Sequence, residues 1–238
     1  VVNKIEGVSG KGFHRVAWDL TYASQQAIDP HQKNNGKNLK GPMVMPGEYS
    51  VCLTKEENGV VTDLSSPVSF NVKQMRKGAL KGSTAEETVT FWLELEDLFA
   101  KVGALSLTLN DSKLKIDAMA KALNQAKVVS ATLTSAIYDL KQQVIEIEVL
   151  LYGQKSKRAV SEPIAPTIYD RLSVAQIGTS NSTYGPTETH KMSYEIALND
   201  YLILKNKMEQ LVDVKIPQFE NELISVGAPW IKGQSLKN

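Results

Sequence analysis

Hydrophobic and polar positions alternate along the first third of the chain, and a period of two is typical of β-strands. Glycine, proline and asparagine interrupt the alternation repeatedly up to about residue 83. We therefore expect strands joined by turns, each strand turning one apolar face toward a core. The apolar positions of the three runs are Val16, Trp18 and Leu20; Tyr49, Val51 and Leu53; and Val68, Phe70 and Val72.

A tight turn and a long loop are predicted among these runs. Asn58-Gly59 is the pair that tolerates positive φ at both central positions of a type I′ turn, so a hairpin is expected there. Residues 23–46 are polar and are expected to form a surface loop. Cys52 has no second cysteine with which to form a disulfide, and a buried thiol is expected because it lies in a strand-like run.

From residue 84 the hydrophobic period becomes that of a helix. The first seam comprises Phe91, Leu95, Leu98, Val102, Leu105, Leu109, Ile116, Met119 and Leu123. Because these positions keep a heptad spacing, we expect a single helix over about 84–127, capped by Ser83 or Thr84. Two helices broken near Asn110 are the alternative.

A second seam with the same spacing predicts a helix that begins at Ser130, ends at Gly153 and returns antiparallel to the first. Residues 154–166 contain lysine, arginine and proline, and they predict a connector. A short helix is expected over about 167–177.

The last part of the chain predicts a loop and another long helix. Residues 178–185 are rich in Ser, Thr and Asn and are expected to form a loop. The helix is expected to start at Pro186, to kink or break at Pro217 and to end at Gly227.

The two periods together predict an α+β fold with two segregated parts. Residues 1–83 are expected to form a small antiparallel β-sandwich (Ig-like) module, and residues 84–238 an antiparallel bundle of three long helices and one short helix. The chain starts with Val1 in a strand-like run and has no initiator methionine. We therefore expect a piece of a longer protein whose β-module is truncated at its N-terminus.

Composition narrows the classes of partner. The 27 Lys+Arg and 26 Asp+Glu give a net charge of +1, which provides no electrostatic reason to expect binding to nucleic acid. No stretch approaches the roughly 18 consecutive apolar residues of a membrane span.

The sequence predicts no catalytic residue, no cofactor-binding residue and no metal-binding residue. The histidines are His14, His31 and His190. Their spacing does not match a zinc site, and His14 is expected to be partly buried in a strand. The neighbouring carboxylates are Glu86 and Glu87, Glu94 and Glu96, and Glu146 and Glu148. Carboxylates at such spacings point to different faces of a helix, so solvated side chains are expected.

Other conspicuous residues also predict structural roles. Trp18 and Trp92 are expected to anchor the core, and Trp230 to pack the C-terminal tail onto the helices. Lys155, Lys157 and Arg158 form a small basic patch without interleaved aromatic residues, which is typical of a solubilising loop.

Four segments resemble a known family. Residues 13–20 (Phe-His-Arg-Val-Ala-Trp-Asp-Leu) and 41–53 (Gly-Pro-Met-Val-Met-Pro-Gly-Glu-Tyr-Ser-Val-Cys-Leu) resemble the region that follows the propeller in bacterial sortilin-like, BNR (Asp-box) repeat proteins. Many of those proteins carry a glycosyl hydrolase label. These two segments also resemble the Ig-like module of flagellar hook-capping proteins. Residues 163–172 and 227–230 resemble the C-terminal region of the BNR repeat family.

This resemblance implies a secreted or periplasmic parent protein with a β-propeller N-terminal to this chain. No Ser-x-Asp-x-Gly-x-x-Trp box occurs here, so neither a propeller blade nor a hydrolase residue carries over. The expected function is a non-catalytic C-terminal accessory region that supports the propeller and mediates protein contacts. In one alternative, loop 23–46 or loop 178–185 contributes to the active site of a propeller-based glycoside hydrolase or peptidase. In another, the chain forms a homodimer through an exposed heptad seam.

Overall fold

The structure is a computed structural model that describes residues 1–31, 39–76, 78, 80–128 and 130–234. Small antiparallel strand pairs occupy the N-terminal part, and helices occupy the C-terminal part. The predicted α+β class, with strands before helices, is confirmed.

Within the described residues the strands pair as three two-stranded antiparallel sheets. The strands are β1 (Thr21–Ala23), β2 (Lys40–Met43), β3 (Gly47–Val51), β4 (Thr54–Glu57), β5 (Val60–Asp63) and β6 (Val68–Val72). β1 pairs with β2, β3 with β6, and β4 with β5. The predicted loop over 23–46 therefore contains β2, and its residues 32–38 lie outside the described part of the chain.

β3 to β6 form a long two-stranded ribbon. At its tip, Asn58 and Gly59 adopt φ of 53° and 79°, as a type I′ turn requires, so the predicted hairpin is confirmed. Between the two sheets of the ribbon, the N–H of Leu64 donates to the carbonyl of Leu53 at 2.8 Å. Residues 47–72 thus fold back on themselves as one extended arm.

Two expectations for the N-terminal residues are wrong. Residues 13–20 form no strand, because no strand among the described residues pairs with them. The carbonyl of Leu20 accepts the N–H of Val44 at 2.9 Å, and the chain turns at Leu20 with a φ of 60°. His14 is exposed, and its Nε2 lies 2.7 Å from the carbonyl oxygen of Gly10. Alternation alone therefore did not distinguish a paired strand from an extended segment.

Cys52 was expected to be buried, but its side chain is exposed. The residue falls between β3 and β4, at the interruption of the ribbon. The neighbouring N–H of Leu53 there bonds to the Ser65 side chain at 2.9 Å instead of to a partner strand. Because the ribbon is not covered at this point, the thiol remains in contact with solvent.

The helical elements follow the predicted order. They are α1 (Ala85–Leu123), α2 (Ala131–Tyr152), α3 (Lys155–Ala159), α4 (Ile168–Ser180), α5 (Glu188–Glu209), a π-helical segment (Gln210–Lys215) and α6 (Ile216–Ser225). The connector over 154–166 thus contains the short α3. The last long helix begins after Pro186, with Thr187 as its cap.

α1 is continuous, so a break near Asn110 is not observed. A capping box starts the helix: the Thr84 hydroxyl accepts from the Glu87 N–H at 3.1 Å, and the Glu87 carboxylate accepts from the Thr84 N–H at 2.7 Å. α2 begins as predicted, because the Ser130 hydroxyl accepts from the N–H of Leu133 at 3.2 Å.

A kink or break is expected at Pro217; the helical backbone is not broken there but passes through the π-helical segment just before it. The N–H of Ile216 bonds to the carbonyl of Leu211, five residues back. Pro217 then lies in the first turn of α6, where its missing N–H costs no hydrogen bond. The wider turn is what allows the helix to accommodate the proline.

The hydrophobic core lies among the helices. Of the buried hydrophobic residues in the described chain, only Val44 belongs to the N-terminal part. The helices supply the remainder. Leu98, Leu109 and Leu151 of the two predicted heptad seams are almost fully buried, and so is Leu172 of α4, which no predicted seam contained. The N-terminal strands therefore have almost no core of their own.

Candidate functional site

The residues that could carry metal or acid–base chemistry are scattered. His31 lies 3.7 Å from Asp111 on the surface, and His190 caps α5 by accepting the Thr187 N–H at 3.3 Å. In the ranges that the structure describes, no group of three or more His, Cys, Asp or Glu is placed to hold a metal ion. These histidines serve local structure.

No helix in the described part of the chain has both the length and the apolar composition that crossing a bilayer requires.

Two expectations about surface residues require correction. Glu96 is buried, and accepts hydrogen bonds from Ser24 and Gln25, whereas its neighbour Glu94 is solvated as expected. Trp230 is 57% exposed and is not part of the core cluster, whereas the nearby Ala228 and Ile231 pack against that core.

Two of the three basic residues in the connector, Lys157 and Arg158, form ion pairs. Lys157 lies 3.0 Å from Glu162, and Arg158 lies 3.0 Å from Asp170. Burial raises the pKa of the Asp170 carboxyl, but hydrogen bonds from Thr167 and the charge of Arg158 outweigh it, so this pKa lies below its ordinary value. Arg158 therefore helps to organise the start of α4, whereas Lys157 pairs within the connector.

The most unusual surface is one face of the β3–β6 sheet, which we call the ribbon face. Its residues are Tyr49, Val51, Val68, Phe70 and Val72. The residues between them point to the opposite face of the same sheet and are polar: Glu48, Ser50, Ser69 and Asn71. This division is that of a sheet with one side in a core and the other in water.

Among the described residues, the ribbon face is covered at one end only. The Trp18 ring lies edge-on to Tyr49 and Phe70, with centroid distances of 5.5 Å and 6.0 Å. At the other end Val51 and Val68 face each other across the two strands and are 58% and 63% exposed. Half of a face with the pattern of a core face is thus in contact with solvent.

Two further exposed apolar side chains lie just beyond the end of the sheet. Leu53 and Leu64, joined by the hydrogen bond between the two halves of the ribbon, are both exposed. Contiguous apolar patches of this kind are rare on monomeric soluble proteins and mark contact surfaces. The ribbon face and these two leucines form the strongest candidate for an interaction site.

A second candidate is a groove of about 500 Å³ between the end of α2, the start of α4 and the middle of α5, which we call the Arg171 groove. Leu150, Ile164 and Ile203 contribute apolar walls. Gly153, with a φ of +76°, allows the chain to leave α2 close to Ile164, since a Cβ here would lie 2.8 Å from the Ile164 Cδ1.

The Arg171 groove also carries charge. Its charged lining residues are Lys157, Arg171 and Asp200. Lys157 forms an ion pair with Glu162. The Nε of Arg171 is buried and has no hydrogen-bond partner among the described atoms. Buried polar groups are normally paired, so this donor is an exception that needs an explanation.

A third depression, also of about 500 Å³, lies between the starts of α1 and α5. Glu86, Glu87, Glu94 and Glu195 line it together with Lys191. Lys191 pairs with Glu188 at 3.0 Å, and the Glu87 carboxylate is used in the capping box. We interpret these carboxylates as solvent-exposed side chains at the rim of the depression, and Glu87 among them also caps α1.

Residues 178–185 lie against the start of α1. The residues up to Ser180 belong to α4, and the carbonyl of Tyr184 accepts the N–H of Ser83 at 2.9 Å. A Cβ on Gly82 would lie 2.1 Å from that same carbonyl oxygen, so the two segments approach as closely as glycine permits.

The alternating sequence pattern predicts that the ribbon face residues face a core, but no pattern in the sequence indicates the Arg171 groove. The only signal was local: Arg171 is the single basic residue of α4. Its setting depends on α2 and α5, which lie far from it in sequence. Comparison with known proteins adds no relative, since no protein-family model, curated protein or solved structure matches this chain.

Proposed function

We propose that this chain is a non-catalytic C-terminal accessory region of a larger secreted β-propeller protein, supporting the propeller and mediating protein contacts. In this proposal residues 1–83 belong to an Ig-like β-sandwich, and residues 84–238 form an antiparallel helical bundle beside it. The similarity of residues 13–20 and 41–53 to the sortilin-like BNR repeat proteins motivates the choice of partner.

The half-covered ribbon face is the observation that carries the proposal. An apolar sheet face is stable in a soluble protein when a second layer covers it. Trp18 covers Tyr49 and Phe70, but nothing in the described residues covers Val51 and Val68. The propeller of the parent protein is the proposed second layer.

The helical part supports a structural role. Its core is continuous along α1, α2, α4, α5 and α6. The buried carboxylate of Glu96 fastens the segment after β1 to α1 through Ser24 and Gln25. A rigid base with an apolar arm attached to it is suited to holding a neighbouring domain in place.

A binding measurement with two matched variants tests the proposal. The propeller region of the parent protein is titrated with this chain by isothermal calorimetry. Val51→Asp with Val68→Asp charges the ribbon face, whereas Ser50→Asp with Ser69→Asp places the same charges on the opposite face at the neighbouring register positions. Circular dichroism checks that each variant is folded, and light scattering measures its oligomeric state.

We expect the natural chain and the Ser50/Ser69 variant to bind the propeller, and the Val51/Val68 variant to bind at least tenfold more weakly. Association that is absent, or equal for both variants, would overturn the proposal. Turnover of a glycoside or peptide substrate by this chain alone would contradict its non-catalytic character. A dimer that dissociates only in the Val51/Val68 variant would assign the face to a second copy instead.

A further inference from the structure

The Arg171 groove has features of a ligand site that the proposed function does not use. It is open to solvent and about 500 Å³ in volume, within the usual range for small-molecule sites. Leu150 and Ile203 in its walls are apolar side chains that remain substantially exposed, at 45% and 57%. A ligand with an apolar body would bury this surface.

The charges of the groove have opposite signs. Lys157 is satisfied by Glu162 at 3.0 Å, which leaves the guanidinium of Arg171 and the carboxylate of Asp200 as the charged groups available to a ligand. Among the described residues no ion pair joins Arg171 to Asp200, and the buried Nε of Arg171 has no hydrogen-bond partner. An arginine held in this way lacks the acceptor that its planar donors are suited to bind.

We propose that the Arg171 groove binds a small zwitterionic ligand with an apolar body, of the class of short apolar peptides with free ends. The ligand's carboxylate binds the guanidinium of Arg171, and its ammonium binds the carboxylate of Asp200. Its apolar side chains lie against Leu150, Ile164 and Ile203. A simple anion would meet Asp200 and a simple cation would meet Arg171, so only a ligand with both charges is complementary to both groups.

A set of dipeptides that share one apolar body tests this assignment. The probes are Leu-Leu, its N-acetylated form, its C-terminal amide and Gly-Gly, and binding is followed by two-dimensional NMR of the full chain. We expect saturable binding of Leu-Leu, with shifts concentrated at the amides of residues 150–153, 164–165, 167–171 and 200–203. Removing either end charge, or both side chains, is expected to weaken binding roughly tenfold, the factor that about 1.4 kcal/mol produces.

Variants assign each charge to its partner. Arg171→Gln is expected to abolish the preference for the free carboxylate, and Asp200→Asn the preference for the free ammonium. Arg76→Gln, at an exposed position in the N-terminal part, is the matched control and leaves both preferences intact. Ile203→Glu changes an exposed wall residue without disturbing the core, and is expected to weaken Leu-Leu more than tenfold.

Failure of Leu-Leu to saturate at 20 mM would overturn the proposal. So would equal binding of the capped and free dipeptides, or an Asp200→Asn or Ile203→Glu variant that binds like Arg76→Gln. Because Asp200 and Ile203 are both on α5 and outside the buried core, the test does not depend on the folding of the Arg171 variant. The proposal is independent of the ribbon face, and failure of either leaves the other standing.

Discussion

The carboxylate of Glu96 accepts a hydrogen bond from the hydroxyl of Ser24, 3.1 Å away and 72 positions earlier in the chain. The same oxygen accepts the N–H of Gln25 at 3.2 Å. Glu96 is only 8% exposed, so its charge is held by these donors in a setting largely shielded from water. This contact joins the N-terminal strands to the first long helix.

Replacing Glu96 tests how much this junction contributes. Glu96→Ala removes a charged acceptor and is expected to lower the free energy of unfolding by about 2 kcal/mol. Glu96→Gln keeps an acceptor in place and should cost less. Urea denaturation followed by circular dichroism measures both, with Glu94→Ala on the solvated side of the same helix as control. Equal losses for Glu96→Ala and Glu94→Ala would contradict the assigned role.

Thr179 offers a second test, inside the helical part. Its fully buried hydroxyl accepts the indole N–H of Trp92 at 3.0 Å and donates to the carbonyl of Ala175 at 2.7 Å. Thr179→Val keeps the shape but leaves the indole N–H without an acceptor, which is expected to destabilise the protein by about 1 to 3 kcal/mol. Thermal unfolding measures the loss.

The control for Thr179 is Thr90→Val, which makes the same chemical change at an exposed position of α1. It is expected to change stability by less than about 0.5 kcal/mol. A Thr179 variant as stable as the Thr90 variant would show that the hydrogen bond to Trp92 contributes nothing.

Replacing Gly153, at the end of α2, is expected to destabilise the protein. With φ at +76°, and the Ile164 Cδ1 2.8 Å from the position of an added Cβ, alanine is expected to cost about 2 kcal/mol through strain and crowding. Gly233→Ala is the matched control, because its φ is +81° but no atom of the described residues lies within 4 Å of the added Cβ. Comparing the two in urea separates crowding from strain. A Gly153 variant that loses no more stability than the control would rule out the crowding.

The start of α4 predicts a dependence on pH. The pKa of Asp170 lies below its ordinary value of 3.8, because hydrogen bonds from Thr167 and Arg158 outweigh the effect of burial. A carboxyl with a lowered folded pKa stabilises the protein above its unfolded pKa and loses that contribution as the pH falls through its folded pKa. Natural chain and Asp170→Asn should therefore differ in unfolding free energy most above about pH 5, and the difference should shrink below pH 3.8.

Urea midpoints between pH 7 and pH 3 measure this difference. A gap between the two proteins that stays constant with pH would contradict the ion pair and the capping bonds as its source. A gap that widens toward acid would contradict the sign of the pKa shift.

Helices could be predicted from this sequence because their signals are local. The heptad spacing that places Leu98 and Leu109 in one seam also places them in the core. The cap at Thr84 lies within four residues of the groups it satisfies. The sequence also predicts an irregularity at Pro217, because proline disturbs a helix. The form of that irregularity, a π-helical segment, depends on how the preceding turn packs.

Strand pairing could be predicted only where the partner is near in sequence. Asn58-Gly59 specifies its own hairpin, and the hairpin is observed. Residues 13–20 have the same alternation, but pairing requires a neighbouring strand whose position a local pattern does not contain. The exposure of Cys52 has the same cause, since its burial depended on a second layer over the ribbon.

The Arg171 groove could not be predicted because it exists only in the tertiary structure. Leu150, Arg171 and Ile203 come from three different helices. Each looks ordinary in its own segment, and only their packing shows that the arginine's buried Nε lacks an acceptor.

We propose that the ribbon face is a covered contact surface in a larger parent protein. Carbene footprinting of side chains, performed on this chain and on the parent, measures that coverage directly. We expect labelling of Val51 and Val68 to fall several-fold in the parent, while Leu114, an exposed residue of α1, is labelled equally in both. Equal labelling of Val51 and Val68 in the two proteins would show that the parent does not cover the ribbon face.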